Sequence, residues 1–341
     1  MRKKVLLGMS GGVDSAVAAL LLKQEGYDVH GFTFRMWSDD GRCCSRESVQ
    51  SAIAVARSIG IPHTIVDIRA EFERKVVSYF LSEYQSGRTP NPCAVCNRAI
   101  RFGSFFKQVN AFGADYLSTG HYSKISSING ELFLTRAKDS AKTQEYFLSL
   151  IPAENLSRIL FPLGDICKDE VRRIAEENNL PVESRESQDI CFIPSGDTQD
   201  FLQKHLSAQA GDIVDVNGKV LGKHRGIWHY TIGQRKGLGI SSEEALFVLA
   251  IDAANNRITV GPRAALKASS FRITDINRFT ERSFSSLPLS CKIRYATPEV
   301  PCRIEGDRVI LLEDINAITP GQLAVIYWQN KVVMAGIIAL S

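Results

Sequence analysis

The stretch with the clearest chemical signature lies near the N-terminus, from Gly8 to Ser15, and reads Gly-Met-Ser-Gly-Gly-Val-Asp-Ser. It follows the apolar run Val5 to Leu7 and leads into an alanine- and leucine-rich stretch, Ala16 to Leu22. A strand that turns through glycines into a helix directs free backbone N–H groups and the positive end of the helix dipole at one point. The stretch therefore predicts an anion site, with a phosphate group as the simplest occupant.

The individual residues of this loop refine the prediction. Gly11 and Gly12 let the backbone approach a phosphate closely, and Ser10 and Ser15 can add hydroxyl donors. Asp14 would repel a bare phosphate, so it predicts a Mg²⁺ ion between the two. The spacing fits neither a Walker loop nor a GxGxxG dinucleotide turn. An ordinary glycine-serine turn between a strand and a helix is the alternative.

A second candidate is the pair Cys93 and Cys96, which follows the proline-containing stretch Arg88 to Pro92. The prolines hold the backbone extended, and a helix is predicted to begin near Ala99. The N-terminus of that helix and the basic side chains that follow favour a thiolate, so Cys96 is predicted to be reactive. These side chains are Arg98 and Arg101. Half of a zinc site and a pair of buried thiols both stay open, although a second Cys-x-x-Cys is absent from the sequence.

The elements that position these residues alternate between strands and helices. Apolar runs predict strands at Asp28 to Phe34, His63 to Ile68 and Asp115 to Tyr122, and helical spacing predicts helices at Ser48 to Ile59 and Phe72 to Tyr84. The alternation predicts an α/β fold with a doubly wound parallel sheet, in which ligands bind beyond the carboxyl ends of the strands. The glycine-rich loop would lie at that edge.

The pattern changes in the second half of the chain. Residues 125–134 predict a hairpin with an Asn129-Gly130 turn, and residues 169–178 predict a short helix. From about residue 210 onward, short strands and turns predict small mainly-β domains. We therefore predict an α/β domain at 1–205, a small central domain at 206–267 and a C-terminal β-barrel domain at 268–341.

The composition is that of an ordinary globular chain, with 341 residues, 44% hydrophobic and 23% charged, and a formal net charge of +4. No stretch approaches the roughly 18 apolar residues that a membrane helix needs, so we expect a cytoplasmic protein with no membrane partner. Its eight cysteines are then expected as thiols, ligands or catalysts rather than as disulfides. Basic residues gather in two segments that suit RNA phosphates, although a solvated charged face is the alternative for each. They are Arg88, Arg98, Arg101 and Lys107, and Lys219, Lys223, Arg225, Arg235 and Lys236.

The six residues Ser10 to Ser15 resemble the pyrophosphate-binding loop of the ATP pyrophosphatase (PP-loop) superfamily, whose members split ATP between the α and β phosphates. Further motifs follow in order: Gly87 to Gly103, Gly113 to Tyr122, Ser187 to Ile193, and Tyr230 to Gly239. Together they look like the tRNA-specific 2-thiouridylases (MnmA family). The resemblance reaches the segment Pro320-Gly321-Gln322 and so covers nearly the whole chain.

The resemblance implies ATP-dependent 2-thiolation of the wobble uridine of tRNA, with release of AMP and diphosphate. Transfer of AMP makes the C2 oxygen a good leaving group, and sulfur then replaces it. A persulfide on Cys191 would deliver that sulfur, with Cys96 as the partner nucleophile. On composition alone, Cys191 between Ile190 and Phe192 predicts only a small buried hydrophobe. The sulfur would come from a persulfide carrier, a cysteine desulfurase or inorganic sulfide.

Position by position, the resemblance implies three sets of site residues. ATP would contact Gly8, Met9, Ser10, Gly11, Gly12, Val13, Asp14, Ser15, Phe34 and Gly120. A uridine flipped out of its stack would lie against Asn91, Pro92 and Cys93. The tRNA would contact His121, Lys142, Thr143, Gln144, Arg294, Tyr295 and Gln322.

The chain departs from the family pattern at two positions, since many relatives have Asp where Cys93 and Thr143 stand. In those relatives the first Asp is a candidate general acid or base. With Cys93, Cys96 and Cys191 all present, three thiolates could instead hold an iron–sulfur cluster whose open iron binds hydrosulfide. Thr143 could contact RNA differently from Asp.

Two other functions stay open on the sequence. A PP-loop amidotransferase or synthetase that acts on a small molecule would form AMP without tRNA and would not need Cys191. An RNA-binding module with a structural metal at Cys93 and Cys96 would bind zinc tightly and would turn over no ATP.

Overall fold

The computed structural model describes residues 2–37, 45–182, 190–193, 197–282 and 287–339. The N-terminal region is built on parallel strands, namely β1 (Lys4–Gly8), β2 (Asp28–Arg35), β3 (His63–Asp67), β4 (Tyr116–Thr119) and β7 (Ile159–Leu160). They lie in the order β3-β2-β1-β4-β7. Alternate side chains of β1 pack on opposite faces of this sheet, with Val5 and Leu7 in one apolar cluster and Leu6 in the other. The predicted doubly wound parallel sheet is confirmed.

The strand order reverses beside β1, which pairs with β2 on one side and β4 on the other. In such sheets a crevice opens beyond the carboxyl ends of the strands at the point of reversal. The register places Gly8 beside Thr119, so the loop after Gly8 and the residue Gly120 leave the sheet side by side.

Helices cover both faces of the sheet. They are α1 (Val13–Gln24), α2 (Arg46–Ile59), α3 (Arg69–Phe72), α4 (Ser78–Gln85), α5 (Pro92–Cys96), α6 (Phe105–Ala111), α7 (Glu145–Leu148), α8 (Lys168–Glu177) and α9 (Thr198–His205). π-helical segments at Glu73–Val77 and Asn97–Ser104 join α3 to α4 and α5 to α6, and 3₁₀ turns lie at Ala153–Arg158, Ile227–His229 and Arg263–Leu266. Within the described ranges, none of the helices combines the length and apolar character needed to cross a membrane.

The predicted hairpin is confirmed as β5 (Lys124–Ile128) and β6 (Glu131–Thr135). Asn129 and Gly130 take positive φ angles of 51° and 86°, as a tight hairpin turn requires. The hairpin does not extend the parallel sheet. Thr135 pairs instead with Lys331 in the C-terminal sheet, so this insertion joins the first part of the chain to the last.

The second half of the chain forms two β structures, as predicted. The central one contains β8 (Gly211–Val214), β9 (Val220–His224), β10 (Leu246–Asp252) and β11 (Arg257–Pro262), in the order β10-β11-β8-β9. The C-terminal one contains β12 (Lys267–Arg278), β13 (Leu289–Lys292), β14 (Val300–Glu305), β15 (Arg308–Asn316), β16 (Leu323–Trp328) and β17 (Lys331–Ile338). The long strand β12 pairs with both β15 and β17 and so closes this sheet into a barrel. The domain division at 1–205, 206–267 and 268–341 stays a prediction.

Candidate active site

The glycine-rich loop is shaped by close backbone contacts. Gly11 has a φ of +84°, and a Cβ added there would lie 2.2 Å from the carbonyl oxygen of Ser48. A Cβ on Gly120 would lie 2.7 Å from the backbone nitrogen of Ser15. Neither position can carry a side chain without moving backbone, because real Cβ atoms essentially never come this close. The end of β4 therefore packs directly against the start of α1.

The hydroxyl groups of the loop hold its shape. Ser15 Oγ donates to Gly12 O at 3.0 Å and accepts from the backbone N–H of Ser10 at 3.2 Å. Gly12 caps α1 without any side-chain hydrogen bond. An uncapped helix N-terminus at the carboxyl edge of a parallel sheet is the arrangement that binds phosphate groups. The loop thus fits the phosphates of ATP.

Three further residues are predicted to contact ATP, namely Met9, Val13 and Phe34. Met9 is buried, and its carbonyl accepts a hydrogen bond from Thr33 Oγ1 at 2.8 Å. Phe34 on β2 is also buried, and its ring packs against Phe32 and Phe105 with centroid distances of 5.4 and 5.0 Å. Val13 is the first residue of α1.

Asp14 has protein partners that the sequence did not predict. Lys168 Nζ donates to both of its carboxylate oxygens, at 2.7 and 2.8 Å, and Tyr122 OH donates to one of them at 2.7 Å. Both carboxylate oxygens of Asp14 therefore have protein donors, and a Mg²⁺ ion between Asp14 and a bound phosphate stays a prediction. The sequence gives one indication that Lys168 has an acidic partner. Lys168 stands at the start of a helix, where the helix dipole disfavours a cation.

The helix that carries the cysteines begins earlier than predicted. It starts at Pro92, not near Ala99, and Asn91 caps it by accepting a hydrogen bond from Ala94 N–H at 3.1 Å. Proline is well tolerated in the first turn of a helix because its missing N–H has no partner there. Cys93 and Cys96 therefore lie one turn apart on α5, and Cys96 is the last residue of α5, directly before the π-helical segment Asn97–Ser104.

The structure brings the thiols of Cys93, Cys96 and Cys191 into one neighbourhood. Burial raises the pKa of Cys93 to about 12, and electrostatic repulsion from Cys191 and Cys96 adds to the effect. Burial likewise raises the pKa of Cys96 to about 11. Cys93 is an exposed residue, whereas Cys96 is buried. The prediction of a thiolate at Cys96 is wrong for this state, because burial outweighs the nearby positive charge.

That positive charge comes from Arg101. Its guanidinium hydrogen-bonds the Cys96 sulfur, and it lies in the π-helical segment Asn97–Ser104. π-Helical turns often mark functional positions, because the extra residue per turn redirects side chains. Arg98, the other predicted cation, faces Asp275 at 3.6 Å. Of these two arginines, Arg101 is therefore the one that acts on the cysteines.

Cys191 and the residue after it have different surroundings. Phe192 is fully buried, and its ring packs against those of Phe72, Phe80 and Phe201. Cys191 is only partly buried at the edge of the same apolar cluster, which also contains Cys96. The core thus holds Phe192 and presents Cys191 to the cysteine pair. The segment Glu186 to Asp189, which belongs to the motif, lies outside the described residues.

His121 links the thiols to the phosphate loop. It follows Gly120, and its Nδ1 lies 2.8 Å from Thr119 Oγ1. Burial, with a smaller effect from the Arg101 charge, lowers its pKa to about 3, so its ring is neutral at physiological pH. Since Gly120 contacts Ser15 and Arg101 acts on both His121 and Cys96, the loop and the thiols adjoin at the end of β4.

The residues predicted to contact tRNA from the β6–α7 connection are partly engaged within the protein. Thr143 is buried, and its hydroxyl donates to Glu145 at 2.5 Å. Gln144 Oε1 accepts from Tyr122 N–H at 2.9 Å, and Lys142 N–H donates to Asp139 O. An aspartate in place of Thr143 would put a second carboxylate beside the buried Glu145 carboxylate. Threonine avoids that repulsion and donates a hydrogen bond to Glu145 instead.

The predicted tRNA contacts of the barrel lie at its junction with the rest of the chain. Gln322 Nε2 donates to the carbonyls of Thr89 and Pro90, at 2.8 and 3.2 Å. Arg294 donates to the Thr319 hydroxyl. Tyr295 is exposed, and its hydroxyl donates to Thr143 O. Its ring packs against that of Phe147 at a tilt of 36°, with the centroids 4.7 Å apart. Among the described residues, three or more Cys, His, Asp or Glu side chains nowhere form a group suited to hold a metal ion.

The doubly wound sheet, the glycine-rich loop at its switch point and the two β structures together define a nucleotide-binding enzyme of the PP-loop ATP pyrophosphatase class. Three family models match the chain in sequence. They are described as tRNA methyl transferase HUP domain (residues 3–195), tRNA methyl transferase PRC-barrel domain (199–262) and Aminomethyltransferase beta-barrel domain (268–338).

Relatives of similar length share more than two fifths of the sequence. The tRNA-specific 2-thiouridylase MnmA 1 of Syntrophus aciditrophicus is 45% identical over 99% of this chain and 93% of its own. The tRNA-specific 2-thiouridylases MnmA of Acidithiobacillus ferrooxidans and Clostridioides difficile are each 42% identical, over 98% and 100% of this chain and 97% and 99% of theirs. The chain belongs to the tRNA-specific 2-thiouridylase family.

Proposed function

We propose that this chain uses ATP to replace the C2 oxygen of the wobble uridine of tRNA with sulfur. The observation that carries the proposal is the meeting of the phosphate loop and the cysteine cluster at the end of β4, through Gly120, His121 and Arg101. An enzyme that first activates an oxygen and then displaces it needs both groups within reach of one atom. The names of the full-length relatives supply the substrate.

The first step activates the base. The C2 oxygen attacks the α-phosphorus of ATP, the bond to the bridging oxygen breaks, and diphosphate leaves from the glycine-rich loop. The loop backbone and the N-terminus of α1 stabilise the charge that develops on that leaving group.

Among the three residues proposed to lie against the base, Cys93 is exposed, whereas Asn91 and Pro92 are buried residues at the start of α5.

The second step transfers sulfur. Cys96 attacks the inner sulfur of a Cys191 persulfide and forms a Cys96–Cys191 disulfide, while the terminal sulfur keeps the electron pair and becomes bonded to C2. AMP leaves with the former uridine oxygen, and an external thiol reduces the disulfide. The electrostatic interaction between Cys96 and Cys191 supports this pairing. Neutral His121, which feels the same Arg101 charge, would serve as a hydrogen-bonding group and not as a proton carrier.

The proposed partners follow from this chemistry. The tRNA would lie against Lys142, Gln144 and the exposed ring of Tyr295, and the sulfur of the Cys191 persulfide would come from a persulfide carrier or a cysteine desulfurase. Inorganic sulfide is already fully reduced, so it would replace the C2 oxygen directly or through a cluster, without a Cys191 persulfide. Mg²⁺ would enter with ATP as part of the substrate. The division into a catalytic domain and two β domains is part of the same proposal.

The direct test is mass spectrometry of nucleosides from tRNA incubated with the protein, ATP, Mg²⁺ and either sulfide or a persulfide donor. We expect 2-thiouridine and one AMP for each sulfur added. Cys191→Ser should abolish transfer from the persulfide donor, whereas Cys302→Ala, a buried barrel cysteine, should not. The absence of added sulfur, or a methyl group transferred from S-adenosylmethionine, would contradict the proposal.

A cluster held by Cys93, Cys96 and Cys191 remains the alternative route to the same product, although the described residues do not bring three ligands into a metal-binding group. Cys93→Asp separates the two routes because it restores the residue of many relatives and removes one thiolate. The persulfide route predicts retained thiolation. Activity lost together with iron and visible absorbance after anaerobic purification would favour the cluster.

A further inference from the structure

A buried carboxylate lies directly behind the segment proposed to contact tRNA. Glu145 is the first residue of α7, follows Gln144 and is only 2% exposed. One of its oxygens accepts a hydrogen bond from the Thr143 hydroxyl at 2.5 Å, and the other accepts one from the Tyr327 hydroxyl at 3.2 Å. Glu145 therefore joins the chain before α7 to strand β16 of the barrel.

The charge of Glu145 is only partly balanced by its neighbours. Arg136, which follows β6, faces Glu145 at 3.6 Å and also forms an ion pair with Glu299. Its guanidinium lies over the Tyr327 ring, 4.8 Å from the ring centre. Two carboxylates thus share one guanidinium. Because apolar side chains of similar volume are often at least as stabilising as a buried ion pair, stability alone explains this glutamate poorly.

Thr143 links Glu145 to the protein surface. Its hydroxyl donates to Glu145 and accepts from the backbone N–H of Ala137 at 2.9 Å, so its side chain points into the protein. Its carbonyl oxygen accepts from the hydroxyl of the exposed Tyr295 at 3.2 Å. One inward-facing side chain thus fixes both its own backbone and the orientation of an exposed aromatic ring.

The segment 142–144 has a second anchor at Gln144. The side-chain oxygen of Gln144 accepts from the N–H of Tyr122 at 2.9 Å, and its backbone N–H donates to the Tyr122 carbonyl at 2.7 Å. Tyr122 lies just beyond the end of β4, on the side of the phosphate loop. The segment is therefore held toward the α/β sheet by Gln144 and toward the barrel by Glu145.

From these contacts, and resting on tRNA as the proposed substrate, we propose that Glu145 is a positioning residue for tRNA binding. It holds Thr143 from within the protein and so keeps the segment 142–144 and the Tyr295 ring in the arrangement that receives the RNA. A surface that is ordered before binding loses less conformational entropy when the partner arrives. Lys142 and Tyr295 then present a positive charge and an aromatic face, which suit phosphates and unstacked bases.

A purely structural role is the competing explanation, because the same contacts join α7 to the barrel. Loss of a structural contact lowers the melting temperature and leaves the tRNA affinity of the folded protein unchanged. Loss of a positioning residue weakens tRNA binding while the protein is folded. It therefore raises the KM for tRNA and leaves both kcat and ATP affinity unchanged.

The test is titration of fluorescently labelled tRNA with wild type, Glu145→Ala and Glu145→Gln, followed by anisotropy without ATP or sulfur donor and well below the melting temperature. We expect Glu145→Ala to weaken tRNA binding about fivefold to tenfold. Glu145→Gln keeps an oxygen that can accept from Thr143 and should recover part of the loss. In both variants Arg136 keeps Glu299 as a partner. Unchanged tRNA affinity in Glu145→Ala would overturn the proposal.

Thr143→Val tests the link itself and leaves the buried charge in place. It removes the hydroxyl and should weaken tRNA binding about as much as Glu145→Ala. The double variant Glu145→Ala with Thr143→Val should bind no more weakly than the weaker single variant, because both changes break the same connection. Losses that multiply in the double variant would show that the two residues act separately and would overturn the proposal.

Thr280→Val is the matched control. The Thr280 hydroxyl is also buried, donates to Glu131 at 2.6 Å and joins the β5–β6 hairpin to the barrel. Its loss should lower the melting temperature but leave tRNA affinity unchanged, and an equal loss of tRNA affinity would overturn the proposal in favour of a loosened barrel. Weaker tRNA binding in the Glu145 variants, with no sulfur added by wild type, would disprove only the proposed function. A wild type that binds no tRNA would disprove both.

Discussion

At the scale of single residues, opposing electrostatic effects decide what the thiols can do. Burial raises the pKa of Cys96, and the hydrogen bond from Arg101 works against it. A thiol kept protonated in the resting protein does not react with stray oxidants or electrophiles, since the thiolate is the nucleophile.

Arg101→Gln should therefore raise the pKa of Cys96 further, by about one unit, because the nearby positive charge that favours the thiolate is lost. The measurement is the rate of Cys96 alkylation by iodoacetamide as a function of pH. At any pH below the new pKa the variant should react more slowly than wild type. Arg101→Lys keeps the charge and should fall between the two.

Arg98→Gln is the control for this measurement, since Arg98 faces Asp275 and belongs to the same π-helical segment. Its alkylation profile should match that of wild type. Equal profiles for Arg101→Gln and wild type would mean that Arg101 does not act on the thiol.

At the scale of elements, the site depends on how β4 ends. The sequence predicted a strand up to Tyr122, but β4 stops at Thr119 because Gly120 must pack against the start of α1. This contact sets the separation between the phosphate loop and His121. The register of β1 with β4 therefore matters more for the site than the length of either strand.

Gly120→Ala tests this contact. The added Cβ would approach Ser15 N and Asp14 C within 2.8 Å, so either the loop or the strand end has to move. We expect a loss of about 1–3 kcal/mol in the free energy of unfolding and a marked loss of ATP affinity. Urea denaturation and calorimetry measure the two effects.

Gly12→Ala provides the steric comparison, because a Cβ there has no neighbour closer than 3.6 Å. Its free energy of unfolding should stay near that of wild type. Full ATP affinity in Gly120→Ala would show that the loop tolerates a displaced β4.

At the scale of the whole molecule, the three parts of the chain meet beside the cysteine pair. Thr89 donates its N–H to Pro320 O of the C-terminal region, and its hydroxyl lies 3.1 Å from that of Thr231 in the central one. Gly321 approaches the backbone of Thr89 so closely that a Cβ would lie 3.0 Å from it. The segment that leads to Cys93 is thus fixed by all three parts.

Gln322→Ala should loosen that segment even without tRNA, because the amide that holds the Thr89 and Pro90 carbonyls is lost. We expect faster amide hydrogen exchange at Thr89, slower thiolation and unchanged ATP affinity. Gln203→Ala, an exposed glutamine of α9, should change none of these. Unchanged exchange at Thr89 with weaker tRNA binding would instead identify Gln322 as a direct tRNA contact.

The sequence predicted what short segments encode. Glycines in Gly8 to Ser15, the Asn129-Gly130 turn and the alternation of strands with helices are local signals, and the parallel sheet and the phosphate loop followed from them. The start of α5 was missed because the capping role of Asn91 depends on one hydrogen bond within the next turn. The protonated state of Cys96 was missed because burial cannot be read from neighbouring residues.

By itself, the sequence determined the class of fold and predicted an anion site at the glycine-rich loop, since backbone conformation and residue chemistry are properties of a few consecutive residues. The roles of Cys96 and Cys191 in sulfur transfer followed from the family resemblance and stay predictions. Only the tertiary structure decided that Lys168 faces Asp14, that Arg101 and not Arg98 contacts Cys96, and that Cys191 joins the cysteine pair. These partners lie on different elements or on different faces of one helical segment. Their meeting depends on how those elements pack, which local patterns do not specify.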